Sequence, residues 1–289
     1  DGRSWKLLAT LSVPGHDIRD PKLAVVDGVL HLYALPNEGL MATPTHTVLT
    51  TSRDGVDWTP FEQVGPAGYL FWRPKSPDGG RTWYVPAYWH GHGESILLRS
   101  RDGRSWERVS QIHQGEGNDE TAIEFLPDGR MLATARLEVT PDRILGNADA
   151  STLLAVAEPP YETWTKRRSR VTRLDGPVLF RQGDEILAVA RFQPGHRGLL
   201  TQLGGLLSRK RTALFRVEPG RLVHLSDLPS AGDTSYAGVV LRDGALYADY
   251  YTSRIDRDYP WLMALFLPTE IRMARIPLER IEALSREWN

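Results

Sequence analysis

Short apolar runs of alternating character recur along the chain, and most are punctuated by Asp-Gly. Leu23 to Tyr33 reads as strand, Asp27-Gly28 turn, strand. The same pattern fits Ile123 to Arg136 around Asp128-Gly129 and Val239 to Tyr250 around Asp243-Gly244. Val178 to Val189 turns at Gln182-Gly183-Asp184, and Leu70 to Tyr88 turns at Asp78-Gly79-Gly80. Asp-Gly between alternating runs predicts a tight hairpin, because glycine supplies the positive φ that the turn needs. Residues 278–289 read instead as a short amphipathic helix.

A second element alternates with these hairpins. Asp1-Gly2-Arg3-Ser4-Trp5 returns unchanged as Asp102-Gly103-Arg104-Ser105-Trp106. Relatives of it end at Trp58 and Trp164, so the spacing is roughly 50 residues. One hairpin plus two strands around a tryptophan turn makes a four-stranded unit. Five such units follow, at 17–66, 67–113, 114–172, 173–229 and 230–280. Four antiparallel strands at this period predict an all-β fold, a five-bladed β-propeller, forming a single domain over 1–289. The last unit lacks a fourth strand, whereas Lys6 to Ser12 is a strand pattern without a blade. Pairing the N-terminal strand with Glu270 to Ile276 is therefore expected to close the last blade and remove two open edges.

Composition narrows the partners. Net charge is −1, which gives no basic excess for a nucleic acid. No run approaches the length of a membrane-spanning helix. The chain has no cysteine, which excludes disulfides and thiolate-bound metal and fits cytoplasm, periplasm or exterior equally; an extracellular or periplasmic setting is slightly favoured. His90, His92 and Glu94 have a metal-like spacing, but their glycine-rich surroundings read as a surface loop, so no metal or other cofactor is expected.

In a propeller the starts of the first strands line the axial funnel, and here they are polar in every unit. They are Gly15 to Pro21, Gly68 to Pro74, Gly117 to Thr121, Leu174 to Pro177 and Gly232 to Tyr236. Two second strands end alike, Ala133-Thr-Ala-Arg136 and Ala188-Val-Ala-Arg191. Arg19, Arg136 and Arg191 are candidates for a bidentate clamp on a carboxylate or other anion. Trp72, Tyr88 and His90 are candidate sugar-binding groups in an aromatic-rich second unit.

The tryptophan turns resemble the Asp-box of sialidases and other sugar-active propellers; Ser76 to Trp83 is its fullest spelling. The sialidase pattern is similar at Arg19, Glu120, Arg136, Arg191 and Tyr236. That resemblance implies a glycoside hydrolase acting on a sugar or sugar acid, with Tyr236 as nucleophile and Glu120 as its base. It departs in blade number, five against six, and offers no counterpart of the sialidase acid/base aspartate. Five-bladed glycosidases of the arabinanase and xylosidase-like group are a rival match at Asp20-Pro21, Asp119 and Asp175-Gly176-Pro177. There three carboxylates do the chemistry: Asp20 and Asp175 as base and acid, with Asp119 tuning them. A carbohydrate- or protein-binding propeller without catalysis is the third alternative.

Overall fold

The computed structural model describes residues 4–39, 43–139, 144–195 and 198–287. Asp1 to Arg3 of the N-terminal motif and Trp288 and Asn289 of the terminal helix lie outside the described residues. The fold is all-β, of the five-bladed propeller class, with one antiparallel sheet in each predicted unit. The chain divides into two compact units, residues 1–114 with 160–163, and residues 115–159 with 164–289.

The first unit holds two four-stranded sheets. One is β1 (Asp17–Val26), β2 (Val29–Asn37), β3 (Thr47–Ser52) and β4 (Glu62–Val64); the other is β5 (Tyr69–Phe71), β6 (Trp83–Trp89), β7 (Glu94–Ser100) and β8 (Glu107–Gln114). Each runs in sequence order, as hairpin-connected strands should. Their facing sides bury Tyr33, Leu49, Phe71, Val85, Ile96 and Leu98 in one core. Asp27 and Gly28 have φ of 48° and 74°, the doubly left-handed pair of a type I′ turn.

Three tryptophan turns in this unit share one hydrogen-bond scheme. Ser52 Oγ accepts the Gly55 N–H at 2.8 Å, Asp54 Oδ1 accepts those of Val56 and Asp57 at 2.8 and 2.9 Å, and Trp58 Nε1 donates to the Gly55 carbonyl at 3.1 Å. Ser100 to Trp106 repeats it. Ser76 to Trp83 does so too, but in the connection between β5 and β6, within the first hairpin of its sheet.

The second unit holds three sheets. They are β9 (Asn118–Phe125), β10 (Met131–Leu137), β11 (Ser151–Ala157) and β12 (Thr165–Ser169); β13 (Asp175–Gln182), β14 (Glu185–Phe192), β15 (Arg211–Glu218) and β16 (Arg221–Asp227); and β17 (Thr234–Arg242), β18 (Ala245–Ser253) and β19 (Thr269–Pro277). Val178, Leu187, Leu214, Leu246 and Tyr250 form the core between the last two. Helix α1 (Trp261–Ala264) follows β18, and α2 (Leu278–Arg286) buries Ile281 in that core with Leu278 and Leu284 against it.

The expected closure by the N-terminus is corrected here. Residues 4–13 form no strand, and the last sheet has three strands with β19 at its edge. Leu8 instead sits by the Ser52–Trp58 turn, its Cδ1 3.9 Å from where a β-carbon on Gly55 would stand. No residue of β19 is buried, and its side chains include the charged Glu270, Arg272 and Arg275 beside the exposed Ile271.

Candidate functional site

Four first strands carry the same irregularity near their starts. The pairing register slips between Arg19 and Lys22 in β1, between Asp119 and Ala122 in β9, between Asp175 and Val178 in β13, and between Ser235 and Gly238 in β17. Each bulge contains a residue at positive φ: Asp20 at 49°, Glu120 at 22°, Gly176 at 60° and Tyr236 at 53°. Bulges re-aim side chains, and a non-glycine residue at positive φ costs on the order of 1–3 kcal/mol, which the surrounding structure must offset. Three of the four are residues singled out by their sequence context.

Within the second unit the structure brings two of these residues together. The Tyr236 hydroxyl donates to Glu120 Oε1 at 2.5 Å, and the Gly176 N–H donates to Glu120 Oε2 at 2.8 Å. Glycine is required at 176 on two counts. Its φ is 60°, and a β-carbon there would stand 2.4 Å from Ser235 Oγ and 3.2 Å from the Tyr236 nitrogen. Three bulges on β9, β13 and β17 thus meet at one point. Tyr236 is half-buried, and its ring stacks on Tyr251 at 6.3 Å between centroids.

Charged groups surround this pair. Arg136 grips Asp119 through Nε and Nη2, lies 3.0 Å from Glu120 Oε2, and reaches Glu138 and Asp175 at 3.6 Å each. Arg173 holds Asp175 bidentately at 2.7 and 3.0 Å. Arg191 donates to Asp175 at 3.2 Å and to Asp233 at 3.4 Å. Burial pushes the Glu120 carboxyl up from its ordinary value, with Asp119 and Asp175 adding to it against the pull of Arg136. Burial alone would raise Asp175 as well, but Arg173, Arg191 and Arg136 hold it well below the usual carboxylate range. Two carboxyls in one site are thus driven in opposite directions, Glu120 toward accepting a proton and Asp175 toward staying ionised.

No protein-family profile matches this chain, and no curated protein sequence matches it. Solved structures do. A protein of unknown function from Dyadobacter fermentans DSM 18053 has 16% identity and a TM-score of 0.64, over 96% of this chain and 81% of that one. An exo-1,5-alpha-L-arabinanase from a bovine ruminal metagenomic library has 15% identity and a TM-score of 0.52, over 90% and 94%. An endo-arabinase from Bacteroides thetaiotaomicron VPI-5482 has 12% identity and a TM-score of 0.55, over 90% and 93%. These likenesses show the fold.

Arg19, Trp72, Tyr88 and His90 belong to the first unit. Arg19 is partly exposed and donates to Asp17 at 2.7 Å within the first unit. Trp72 is fully buried beneath Lys22, whose Nζ is 4.7 Å from the ring centroid. Tyr88 is also buried, whereas His90 is exposed beside the Trp89 ring at 4.6 Å. Arg173, Glu138, Lys210, Asp233 and Trp261 join the second-unit site without having been anticipated. Of these, Asp233 lay in a polar strand start already noted; the buried Arg173 and Lys210 look in sequence like the solvated charges around them.

Proposed function

We propose that the protein is a glycoside hydrolase whose chemistry is centred on Tyr236 and Glu120. The observation that carries this reading is the 2.5 Å bond between two strained residues delivered from separate sheets of one unit. A phenol is a weak nucleophile until a base takes its proton. Glu120 is placed to do so, and its raised proton affinity lets it keep the proton while the phenol oxygen attacks the anomeric carbon. The leaving oxygen departs with its bonding electrons and takes a proton from solvent. Water then attacks the anomeric carbon, giving a proton back to solvent, and the departing phenol recovers its own proton from Glu120. Two displacements retain the anomeric configuration.

The substrate is read as a neutral glycoside. Arg136, Arg173 and Arg191 are each met by carboxylates, so an anionic sugar would have to displace ion pairs to be clamped. The fold likeness to arabinanases puts pentose glycosides first. That likeness also favours a second reading, in which Asp20, Asp119 and Asp175 supply three carboxylates. Against it, Asp175 is held ionised by its guanidinium partners, which suits a positioning group better than a proton donor.

A panel of p-nitrophenyl α-L-arabinofuranoside, β-D-xyloside and an aryl sialoside tests the proposal, with the anomeric form of the product followed by NMR. Retention is expected, with Tyr236→Phe lowering kcat by roughly 10³-fold or more and Asp175→Asn having the smaller effect. Inversion, with the order of the two variants reversed, would establish the three-carboxylate reading instead. No turnover of any glycoside would leave a binding protein.

A further inference from the structure

The glycine-rich turn between β6 and β7 takes no part in the chemistry proposed above, and neither does the tryptophan that leads into it. Trp89 ends β6 in the first unit and is 37% exposed. We infer that Trp89 is the platform of a carbohydrate-binding site carried by the first unit, taking the C–H face of a neutral sugar ring. The inference does not depend on Tyr236 or on any turnover.

Three other tryptophans of this unit show what a structural indole does here. Trp58, Trp83 and Trp106 each donate Nε1 to the carbonyl of a glycine in their own turn, at 3.1, 2.9 and 3.2 Å. The Trp89 indole N–H has no such acceptor among the described residues. Trp89 thus combines an open apolar ring with an unspent donor at its edge, the amphipathic character that suits tryptophan to a wet binding surface. The exposed His90 ring lies 4.6 Å away, tilted by 52°, and its nitrogens bond to no side chain among the described residues.

The platform is set before any ligand arrives. The His90 N–H donates to the Gly68 carbonyl at 2.9 Å and the His92 N–H to the Trp89 carbonyl at 2.8 Å, folding the turn onto the start of β5. The indole lies against two glycines. A β-carbon on Gly68 would run into its six-membered ring, and one on Gly91 would stand 3.0 Å from Nε1. Tyr69 meets it edge-on, 5.4 Å between centroids at 69°. Tyr69 is fixed in turn by donating to Glu94 Oε2 at 2.7 Å, while Glu94 Oε1 accepts Arg108 at 3.0 Å and Gln111 at 2.8 Å. A ring held this way loses little freedom on binding.

These groups select the ligand. A wholly apolar molecule covering the ring would leave the indole N–H without an acceptor, which costs free energy. A charged one meets no free counter-charge, since Glu94 and Arg108 neutralise one another at 3.0 Å. A sugar ring has an apolar C–H face for the indole and hydroxyls around its edge for Trp89 Nε1 and the His90 imidazole.

The test titrates the ¹⁵N-labelled full chain with sulfur-linked trisaccharides of xylose, arabinose and glucose, whose bridges resist hydrolysis, and with a proline-rich decapeptide. The indole N–H resonance of Trp89, identified by its absence from the Trp89→Ala spectrum, is expected to move with at least one of the sugars, with a Kd on the order of 10⁻⁴–10⁻³ M. Trp89→Ala should weaken that binding by about 10-fold or more. Trp89→Phe, which keeps a ring and loses the N–H, should fall between the two. Gly91→Ala, whose methyl displaces the indole without altering it, should weaken binding as well, and neither of these two variants removes the packing against Tyr69. An unmoved Trp89 resonance with every sugar, equal binding in Trp89→Ala, or a response to the decapeptide alone would overturn the inference. Failure of every glycoside in the panel to turn over would remove the proposed activity and leave this site standing.

Discussion

Lys210 has almost no exposed surface, and no carboxylate lies within ion-pair distance of it among the described residues. Its Nζ donates to Gln193 Oε1 at 3.0 Å and faces the Trp261 ring. Burial, helped by Arg173, Arg191 and Arg136, drives its proton affinity well below the ordinary lysine range. The sign of the linkage follows. In the unfolded chain the amine is protonated up to its ordinary pKa, so between the folded and unfolded values the unfolded state binds more protons and stability rises with pH, by about 1.4 kcal/mol per unit. Lys210→Met removes this dependence. Its melting temperature relative to the wild type should be higher at pH 6 than at pH 9, as scanning calorimetry would show; a gap that widens with pH would mean that Lys210 is charged in the folded protein. Glu120 runs the opposite way: its raised proton affinity favours folding at low pH and is lost as pH rises toward the folded value. Single residues were also where sequence was least informative. Glu120 and Tyr236 stood out through a family pattern, whereas Arg173, Lys210 and Asp233 did not, because a buried charge is recognised by its surroundings and not by its type.

At the scale of elements, the Asp-Gly hairpins were legible because two residues fix the turn locally. The bulges were not. A bulge is defined by the partner strand, and nothing in Asp20-Pro21, Glu120-Thr121, Gly176-Pro177 or Tyr236-Ala237 announces that each pair faces a single residue in its ladder. Yet these insertions aim the site. Gly176 is the tightest of them, lying against Ser235 and Tyr236 while its N–H holds Glu120. In Gly176→Ala the new methyl would push β17 from β13 and impose strain at positive φ. The expected result is a loss of about 1–3 kcal/mol in stability, together with a fall in kcat larger than any change in KM. Urea denaturation and steady-state kinetics on the same preparation would check both. Wild-type kcat in a clearly destabilised variant would show that the bulge supports the fold without positioning Tyr236.

Over the whole chain, the count of five sheets followed from a repeat, but the pairing of the chain ends did not. A seven-residue alternation states that a segment suits an edge; it does not say which edge, or whether the gain exceeds the cost of ordering the chain. Here it does not form a strand. Leu7 is 81% exposed and Leu8 54% exposed, so residues 4–13 bury little, and each compact unit has its own core without them. The outer edge of β19 is left to be protected by charge, with Glu270, Arg272 and Arg275 along it, a common means of discouraging strand addition by other chains. Deleting residues 1–12 should therefore cost no more than about 1–2 kcal/mol, the worth of partly burying one leucine. By calorimetry, both the melting temperature and the number of transitions should stay close to those of the full chain. A sharp fall in melting temperature, accompanied by new aggregation on size-exclusion chromatography, would show that the segment pairs with an edge in solution and that β19 is not the final strand of its sheet.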